Sequence, residues 1–282
     1  MVDDTFKVDP DDAGYLAVAL ALLREVCDDA KAEFFVVGAA ARDLLLEHVY
    51  GVRPFRSTTD VDIAVAVESW PEYEGLIGRL VKRHGFERAN VEHRVERPGL
   101  VVDVVPYGEV AGDGVTIQWP ESDRTMSVLG YAEAFEASVQ VRVGDALPVR
   151  VASLPGVILL KLVAWDEAPH RRRQDPIDVC AIMMGYEHVV GESLYTDHGD
   201  LLEDLHDVRV AGARILGRDV AKLLQGPLLR ERVLGLLRRQ TGDENGSRFV
   251  QAMRSECHRD FGYRLLCLKA LQQGVEERAP TL

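Results

Sequence analysis

One acidic side chain lies in the middle of a strongly apolar stretch. Asp103 is flanked by valines in Leu100-Val101-Val102-Asp103-Val104-Val105, a pattern that predicts a β-strand ending at Pro106. Burying an unpaired, ionised carboxylate would cost more than the net stability of a whole domain. Asp103 therefore needs a cation, an Arg or Lys partner, or an open cleft.

Two further carboxylates occur on another predicted strand, residues 60–67. Because side chains alternate along a strand, Asp60 and Asp62 point to the same face about 7 Å apart, while Val61 and Ile63 point into a core. Three carboxylates from neighbouring strands would form a cage for Mg²⁺, which prefers oxygen ligands and leaves positions open for substrate phosphates. Each acid taken alone is more often structural, and Asp103 could instead pair with an arginine of the core.

A glycine turn precedes the carboxylates in the chain. A predicted strand at 33–38 ends at Gly38, and a helix-forming segment begins at Ala39. Glycine lets the backbone approach a ligand closely, and the amides of a first helical turn can bind anions. Such a turn would place a triphosphate beside the carboxylates.

The order of predicted elements divides the chain into two parts. In residues 1–152 helices alternate with strands, whereas from Ser153 onward nearly every segment has helical character. We therefore expect an α+β fold, with a mixed-sheet domain at 1–152 followed by an all-helical domain at 153–282. The predicted strands are 33–38, 60–67, 100–105, 114–118, 138–143 and 147–151. The predicted helices are 11–31 (core positions Leu16, Leu20, Leu23 and Cys27), 39–48, 71–84, a segment from Ser153, a segment capped by Asp175, and stretches near 199–240 and 247–273.

The chain of 282 residues carries a formal net charge of −13, and its acidity is local. Residues 1–29 have a net charge of −6 and residues 187–207 of −7, so the remainder is neutral overall. This distribution argues against non-specific coating of nucleic acid, but local basic groups at 79–97 and Arg171–Arg173 leave a phosphate-rich partner open. Solvated charge is the alternative for both groups.

Composition also predicts the location of the protein. No apolar run approaches the roughly 20 residues of a membrane helix, and the acidic N-terminus is unlike a signal or transit peptide. The four cysteines are far apart in sequence, without a CxxC pair. We expect reduced thiols that fill the core, a cytoplasmic location and no membrane partner. These cysteines are Cys27, Cys180, Cys257 and Cys267.

Assembled in order, these motifs resemble the polymerase-β-type nucleotidyltransferases, whose pattern is a strand, a Gly-Gly or Gly-Ser turn, a helix, a DxD strand and a third Asp on a later strand. The closer similarity is to the AbiEii/AbiGii-like branch, the nucleotidyltransferase toxins of type IV toxin–antitoxin and phage-defence systems. The segments that carry it lie between residues 34 and 179: FFVVGAAARDLLL, RSTTDVDIAV, VDVVPYGEV, SLPGVILLKLVAW and RRRQDPIDV. GAAARD before a DxD strand is also similar to the head domain of tRNA CCA-adding enzymes and poly(A) polymerases.

The resemblance implies a role for each acidic residue. Asp60 and Asp62 would hold two Mg²⁺ ions, with Mn²⁺ as an alternative, and Asp103 would hold the catalytic ion and act as, or assist, the general base. Lys161 would reach the triphosphate of an NTP, although a lysine in an apolar helix can also snorkel to solvent. Asp178, rather than the helix cap Asp175, is the better candidate for chemistry, and one of the two would pair with Lys161 or with a metal-bound water.

The remaining candidates surround the phosphate turn. Ala39 stands where the family has Gly or Ser, so a serine hydroxyl to the terminal phosphate would be lost while the backbone amide contact survives. Thr58 or Thr59 could supply a hydroxyl instead. Arg42 could contact phosphate or pair with Asp43. Trp165 could stack on a base, although a core position is the more common role.

We therefore expect an enzyme that transfers NMP from an NTP to an acceptor hydroxyl. The resemblance favours tRNA as acceptor and an antitoxin protein as partner. Three alternatives stay open: protein NMPylation, an antibiotic nucleotidyltransferase, and an inactive nucleotide-binding regulatory module.

Overall fold

The computed structural model describes residues 5–53, 55–56, 58–146, 148–242, 246–253 and 259–278. Two compact units divide this chain. The sheet unit contains the described residues of Met1–Val49 and Ser57–Ser153, and the helical unit those of Tyr50–Arg56 and Leu154–Leu282. The predicted α+β class is confirmed: a mixed sheet with helices, followed by a helical region. The predicted domain boundary at residue 152 would put residues 50–56 in the first domain. In the structure, these residues cluster with the helical unit instead.

The described residues of the sheet unit form ten strands. The six predicted strands are present, with ends shifted by at most two residues, and β1, β4, β5 and β8 were not predicted. Eight strands form one mixed sheet in the order β1-β9-β10-β2-β3-β6-β5-β4, and β7 pairs with β8 separately. The strands are β1 (Thr5–Val8), β2 (Phe34–Val37), β3 (Asp60–Ala66), β4 (Glu87–Arg88), β5 (Arg94–Arg97), β6 (Leu100–Tyr107), β7 (Thr116–Gln118), β8 (Thr125–Ser127), β9 (Val139–Val143) and β10 (Val149–Val151).

Strand β6 continues through Pro106, where we expected it to stop. Pro106 is aligned with Val65 of β3. On the other side, β5 pairs with β6 only up to Asp103. Proline lacks a backbone donor and is tolerated where a strand has no partner on that side. The early end of β5 therefore gives Pro106 a place within a strand.

Helices of the sheet unit cover the buried faces of these strands. The predicted helix 11–31 is interrupted at Gly14, which has a positive φ of 51°, and its expected core positions Leu16, Leu20, Leu23 and Cys27 are all buried. The predicted helix at 39–48 is α-helical only at first and then continues as a π-helical segment, Leu44–Val49. The α-helices are α1 (Pro10–Ala13), α2 (Tyr15–Ala30), α3 (Gly38–Asp43), α4 (Trp70–His84) and α5 (Tyr131–Glu136).

The helical unit contains eight α-helices in its described residues. The long stretch predicted near 199–240 is divided among three helices, and Cys257 and the middle of the stretch predicted at 247–273 lie outside the described residues. Cys27, Cys180 and Cys267 are buried, as expected for core positions. Among the described residues, none of the helices has the length and apolarity needed to cross a bilayer. The helices are α6 (Leu154–Glu167), α7 (Asp175–Val190), α8 (Ser193–Thr196), α9 (Gly199–Leu205), α10 (Val208–Leu223), α11 (Pro227–Gly242), α12 (Arg248–Ala252) and α13 (Phe261–Arg278).

Helices α10 and α13 pack backbone against backbone through two glycines. A Cβ added at Gly274 would lie 1.9 Å from the carbonyl oxygen of Arg214, and one added at Gly217 would lie 2.1 Å from that of Leu271. The backbone atoms of a helix cannot move away from an added methyl group as the end of a flexible side chain can. Glycine is therefore required at both positions for this helix pair to form.

We predict that Gly274→Ala destabilises the helical unit by about 3 kcal/mol, because the two helices must separate to admit the methyl group. Gly235→Ala in α11 is the matched control: its Cβ would meet only the mobile tip of Arg239. That variant should be neutral or gain roughly 0.5–1 kcal/mol of helix propensity. Urea unfolding followed by circular dichroism measures both, and equal stabilities would contradict the packing described.

Candidate functional site

The three acids proposed from the sequence share one face of the sheet. Asp62 of β3 is aligned with Asp103 of the parallel neighbour β6, and Asp60 lies two residues before Asp62 on the same face. The neighbouring strands extend this alignment on both sides: Asp62 is aligned with Val37 of β2, and Asp103 is aligned with Arg94 of β5. The register therefore brings three carboxylates and one guanidinium together.

Arg94 binds two of the three carboxylates. Its Nε donates to Asp103 Oδ1 at 2.7 Å and its Nη2 to Asp103 Oδ2 at 2.8 Å, while the same Nη2 donates to Asp60 Oδ2 at 3.2 Å. The hydrogen bonds to Asp103 and its charge raise the pKa of Arg94 above its ordinary value. An arginine partner was one of the possibilities considered for Asp103, and Arg94 is that partner. It comes from the neighbouring strand β5.

Asp60 is also held by the segment before its strand. The Thr59 hydroxyl donates to Asp60 Oδ1 at 3.3 Å, and the Asp60 amide donates to the Thr58 hydroxyl at 3.3 Å. Tyr15 donates its hydroxyl to the Thr58 carbonyl oxygen. Both threonines thus position Asp60 in this conformation, and a role for either hydroxyl at a phosphate stays a prediction.

Tyr15 reports the negative charge of this region. Its pKa is raised to about 12, first by burial and then by the charges of Asp43, Asp60 and Asp62. The Tyr15 hydroxyl therefore stays protonated well above neutral pH and keeps its role as hydrogen-bond donor to Thr58. The three carboxylates add to the effect of burial on its pKa.

The glycine turn lies directly against Asp62. Gly38 has a φ of 65°, and a Cβ added there would lie 2.2 Å from Asp62 Oδ2. Helix α3 begins at this glycine without a side-chain cap on its N-terminal amides. Ala39 occupies the first turn of that helix and is buried. Any residue other than glycine at position 38 would displace the Asp62 carboxylate.

Of the two roles considered for Arg42, contact with a phosphate or pairing with Asp43, the structure shows the pairing. Its side chain is completely buried, and its Nε donates to Asp43 Oδ1 at 2.7 Å. A buried guanidinium committed to a carboxylate is not available to a phosphate at the protein surface. The expectation that Arg42 contacts the nucleotide is therefore not supported by its position.

The donor chemistry of the three acids fits a hard divalent cation, which prefers carboxylate oxygens. Two observations agree with this fit: Arg94 already places a positive charge on Asp60 and Asp103, and Gly38 keeps the space beside Asp62 free of a side chain. In the present arrangement, however, no three His, Cys, Asp or Glu side chains of the described chain are grouped so that they could hold a metal ion. A metal would require rearrangement of the side chains.

Lys161 lies in a buried ion cluster within the helical unit. Its side chain on α6 is 9% exposed, and its Nζ lies 2.6 Å from Asp178 Oδ2 and 3.0 Å from Asp175 Oδ1, both on α7. Burial lowers the pKa of Lys161, but the charges of Asp175 and Asp178 outweigh it and leave the pKa above its ordinary value. The expected pairing is confirmed with both acids, and snorkelling to solvent is wrong.

Asp178 is committed further by a second cation. Arg56 donates to both of its oxygens, at 2.9 and 2.8 Å, and the Asp178 side chain is fully buried. Asp175 was expected to cap α7, but the helix begins at this residue after Gln174, and its carboxylate turns to Lys161 instead. In this cluster the Asp178 carboxylate binds both Arg56 and Lys161 and so connects the 50–56 segment, α6 and α7.

Trp165 belongs to the core of the helical unit. It is buried and meets Phe249 edge to face, with ring centroids 4.9 Å apart. The arginines 171–173, by contrast, are exposed. The core alternative is confirmed for Trp165, and its stacking on a base has no support.

Arg94 and Arg56 were missed as partners of the candidate acids. For Arg94 a signal existed: Pro98-Gly99 is a two-residue turn that aligns Arg97 with Leu100 and, three residues back, Arg94 with Asp103. For Arg56, which lies in a loop 122 residues from Asp178, the sequence carries no such signal.

No protein-family model matches the chain, and a search of curated proteins gives no significant match. Among solved structures, an antigenic nucleotidyltransferase-like protein from Paracoccidioides brasiliensis is similar at 17% identity, with a TM-score of 0.40, over 72% of this chain and 92% of that protein. The antibiotic-resistance factor ANT(2'')-Ia matches at 16% identity, with a TM-score of 0.34, over 67% of this chain and 97% of that protein. The Thermotoga maritima CCA-adding enzyme complexed with tRNA matches at 16% identity, with a TM-score of 0.25, over 89% of this chain and 65% of that protein. Similarities this remote decide neither the fold nor the activity.

We predict that Gly38→Ala moves the Asp62 carboxylate and weakens Mn²⁺ binding about tenfold or more, in addition to a backbone cost of roughly 1–2 kcal/mol. Gly85→Ala is the matched control, because its φ of 68° imposes the same backbone cost while its Cβ would meet nothing within 4 Å. Titration calorimetry with Mn²⁺ and thermal unfolding separate the two effects. Equal Mn²⁺ affinity in both variants would contradict the contact with Asp62.

We predict that Lys161→Met destabilises the helical unit by about 3 kcal/mol, because two buried carboxylates lose their shared cation. The exposed ion pair of Lys222 with Asp219 provides the control Lys222→Met, which should cost less than about 1 kcal/mol. Since the folded-state pKa of Lys161 is raised, its contribution persists below the ordinary lysine pKa and is lost only as pH rises through the folded value. Urea unfolding should therefore give the same difference between wild type and variant at about pH 6 and pH 9, and a difference that shrinks between them would contradict the assignment.

Proposed function

We propose that this protein is a divalent-metal-dependent nucleotidyltransferase, which transfers NMP from an NTP to an acceptor hydroxyl and releases pyrophosphate. One observation carries the proposal: Asp62 and Asp103 are aligned on adjacent parallel strands, with Asp60 on the same face and the Gly38 turn against Asp62. Together these residues combine a cation-binding edge with a backbone that a phosphate group can approach.

Each residue has a specific task in this proposal. Asp60 and Asp62 would hold the divalent ions, and Asp103 would hold the catalytic ion. Bound ions supply neutralisation of the triphosphate charge and activation of the acceptor oxygen. The backbone at Gly38 and Ala39 faces the phosphates, while Thr59 and Tyr15 maintain the position of Asp60, directly or through Thr58. The role of Lys161 toward the triphosphate, which the family resemblance implies, stays a prediction.

The reaction balances as a single displacement at phosphorus. The acceptor oxygen forms a bond to the α-phosphorus, the bond from that phosphorus to the oxygen bridging to the β-phosphate breaks, and pyrophosphate leaves. The acceptor proton passes to a carboxylate, which the resemblance assigns to Asp103. Catalysis of this kind depends mainly on positioning and on electrostatic stabilisation of the transferring group.

The acceptor class follows from the family resemblance. Similarity to the AbiEii/AbiGii-like toxins favours tRNA, with protein hydroxyls and small antibiotics as the alternatives. The same resemblance suggests a toxin role and an antitoxin partner. Residues 187–207, with their net charge of −7, keep a cationic antibiotic among the acceptors to be tested.

A second candidate function is favoured by Arg94. A regulatory module that binds nucleotide without turnover would retain the fold while a permanent arginine neutralises the acids, and Ala39 would be acceptable in its phosphate turn. Such a protein would bind NTP but would not release pyrophosphate. The two candidates therefore differ in one measurable product.

We predict that wild-type protein with Mg²⁺ and α-labelled NTPs transfers label to total tRNA, and that Asp62→Asn abolishes the transfer. The variant should fold as stably as wild type, because losing one of three neighbouring negative charges relieves repulsion in the metal-free site. The control Asp145→Asn removes one exposed acid from a turn of the same unit and should leave transfer unchanged. Label on protein instead of RNA would support NMPylation.

Two results would contradict the proposal. Full activity of Asp62→Asn would show that the metal assignment is wrong. An absence of transfer to RNA, to protein or to an added cationic antibiotic, with NTP binding retained, would favour the regulatory module.

A further inference from the structure

We propose that Arg94 is a built-in counter-ion that competes with the divalent metal for Asp60 and Asp103, so that metal binds only when the guanidinium leaves. This inference rests on the function proposed above and specifies how access to that same site is controlled. Arg94 would therefore determine the concentration of divalent metal that is needed to fill the site.

The first step of the argument is the occupancy of the carboxylate oxygens. Both oxygens of Asp103 accept hydrogen bonds from Arg94, and Asp60 Oδ2 accepts one as well. The other oxygen of Asp60 accepts from Thr59. A divalent ion binds carboxylates through the same oxygen atoms. As the structure shows them, the guanidinium therefore occupies, on both acids, oxygens that the ion would also have to bind.

The second step is electrostatic. A divalent ion on Asp60 and Asp103 would stand close to a guanidinium that is permanently charged, and like charges at contact distance repel strongly where solvent is partly excluded. The Asp103 side chain is only 11% exposed, so solvent screening there is reduced. Binding of the ion and retention of Arg94 are thus mutually exclusive states.

The third step is that Arg94 is able to leave. Its side chain is 32% exposed and extends from β5, a strand of four residues that pairs at its outer side with the two-residue edge strand β4. A part-exposed guanidinium can turn to solvent, and the arriving divalent ion then replaces the positive charge that it removes from Asp103, so this buried carboxylate is not left unpaired. The Lys161 cluster differs in this respect, since Asp178 there is fully buried between two cations.

The coupling between the two cations is reciprocal. If Arg94 weakens metal binding by some factor, bound metal weakens the contact of Arg94 with the acids by the same factor. Removal of the guanidinium should therefore have opposite effects in two conditions. It should destabilise the metal-free protein, which loses the guanidinium that donates to both oxygens of Asp103, and it should strengthen metal binding.

The test compares Arg94→Gln with Arg97→Gln. Arg97 lies on the same strand and its loss changes the net charge equally, but it contacts the His84 carbonyl oxygen and the Phe86 ring rather than the acids. Free Mn²⁺ is counted by electron paramagnetic resonance during titration of each full-length protein. We expect Arg94→Gln to bind Mn²⁺ at least tenfold more tightly than wild type, and Arg97→Gln to match wild type. We also expect a lower midpoint of thermal unfolding for metal-free Arg94→Gln.

A second measurement covers the case in which Arg94→Gln fails to fold. In wild-type protein labelled with ¹⁵N-arginine, the Arg94 Nε–H signal is protected from exchange by its bond to Asp103 and is identified by its absence in Arg94→Lys. Mg²⁺ should abolish this protection. Protection that persists at saturating Mg²⁺ would overturn the proposal.

The outcomes separate this inference from the function on which it rests. Mn²⁺ binding that requires Asp62 but has the same affinity in wild type and Arg94→Gln would overturn the role of Arg94 and leave the metal site intact. No Mn²⁺ binding to either protein, or binding that survives Asp62→Asn, would overturn the metal site and with it the proposed function.

Discussion

Repulsion among carboxylates on one face of the sheet is the constraint that organises the candidate site. The alignment of Asp62 with Asp103, with Asp60 two residues away, concentrates negative charge that burial makes more costly. The charges of Asp60 and Asp62 add to the effect of burial in raising the pKa of Tyr15. A cation has to balance these charges, and in this conformation Arg94 binds two of the three acids. Any metal chemistry at the site therefore begins as an exchange of one cation for another.

The Arg94 cluster and the Lys161 cluster differ in burial, and this difference predicts different roles. Asp178 is fully buried and bound by both Lys161 and Arg56, and a buried cluster of that kind is costly to open because it leaves uncompensated charge. Arg94 is part-exposed on a short strand near the edge of the sheet. The first cluster is suited to holding helices α6 and α7 together, and the second is suited to exchange.

The sequence was sufficient where periodicity or local chemistry determines the structure. Alternation in β3 located Asp60 and Asp62 on one face, and the apolar positions of α2 identified its buried side. It was insufficient where a partner comes from elsewhere in the chain. Pro106 continues β6 because β5 ends early, and Asp175 turns from helix cap to ion pair because Lys161 lies within reach. Arg94 was within reach of sequence reasoning, since the Pro98-Gly99 turn fixes its register with Asp103, whereas Arg56 depends on a long-range contact that no local pattern encodes.

The most direct measurement of the central claim is a crystal structure with Mn²⁺ and a non-hydrolysable NTP, with data collected at the manganese absorption edge. Our account predicts anomalous peaks coordinated by Asp60, Asp62 and Asp103 beneath the triphosphate, with the Arg94 guanidinium turned away from Asp103. Manganese bound elsewhere, with Arg94 still forked on Asp103 and the nucleotide distant from Gly38, would contradict it.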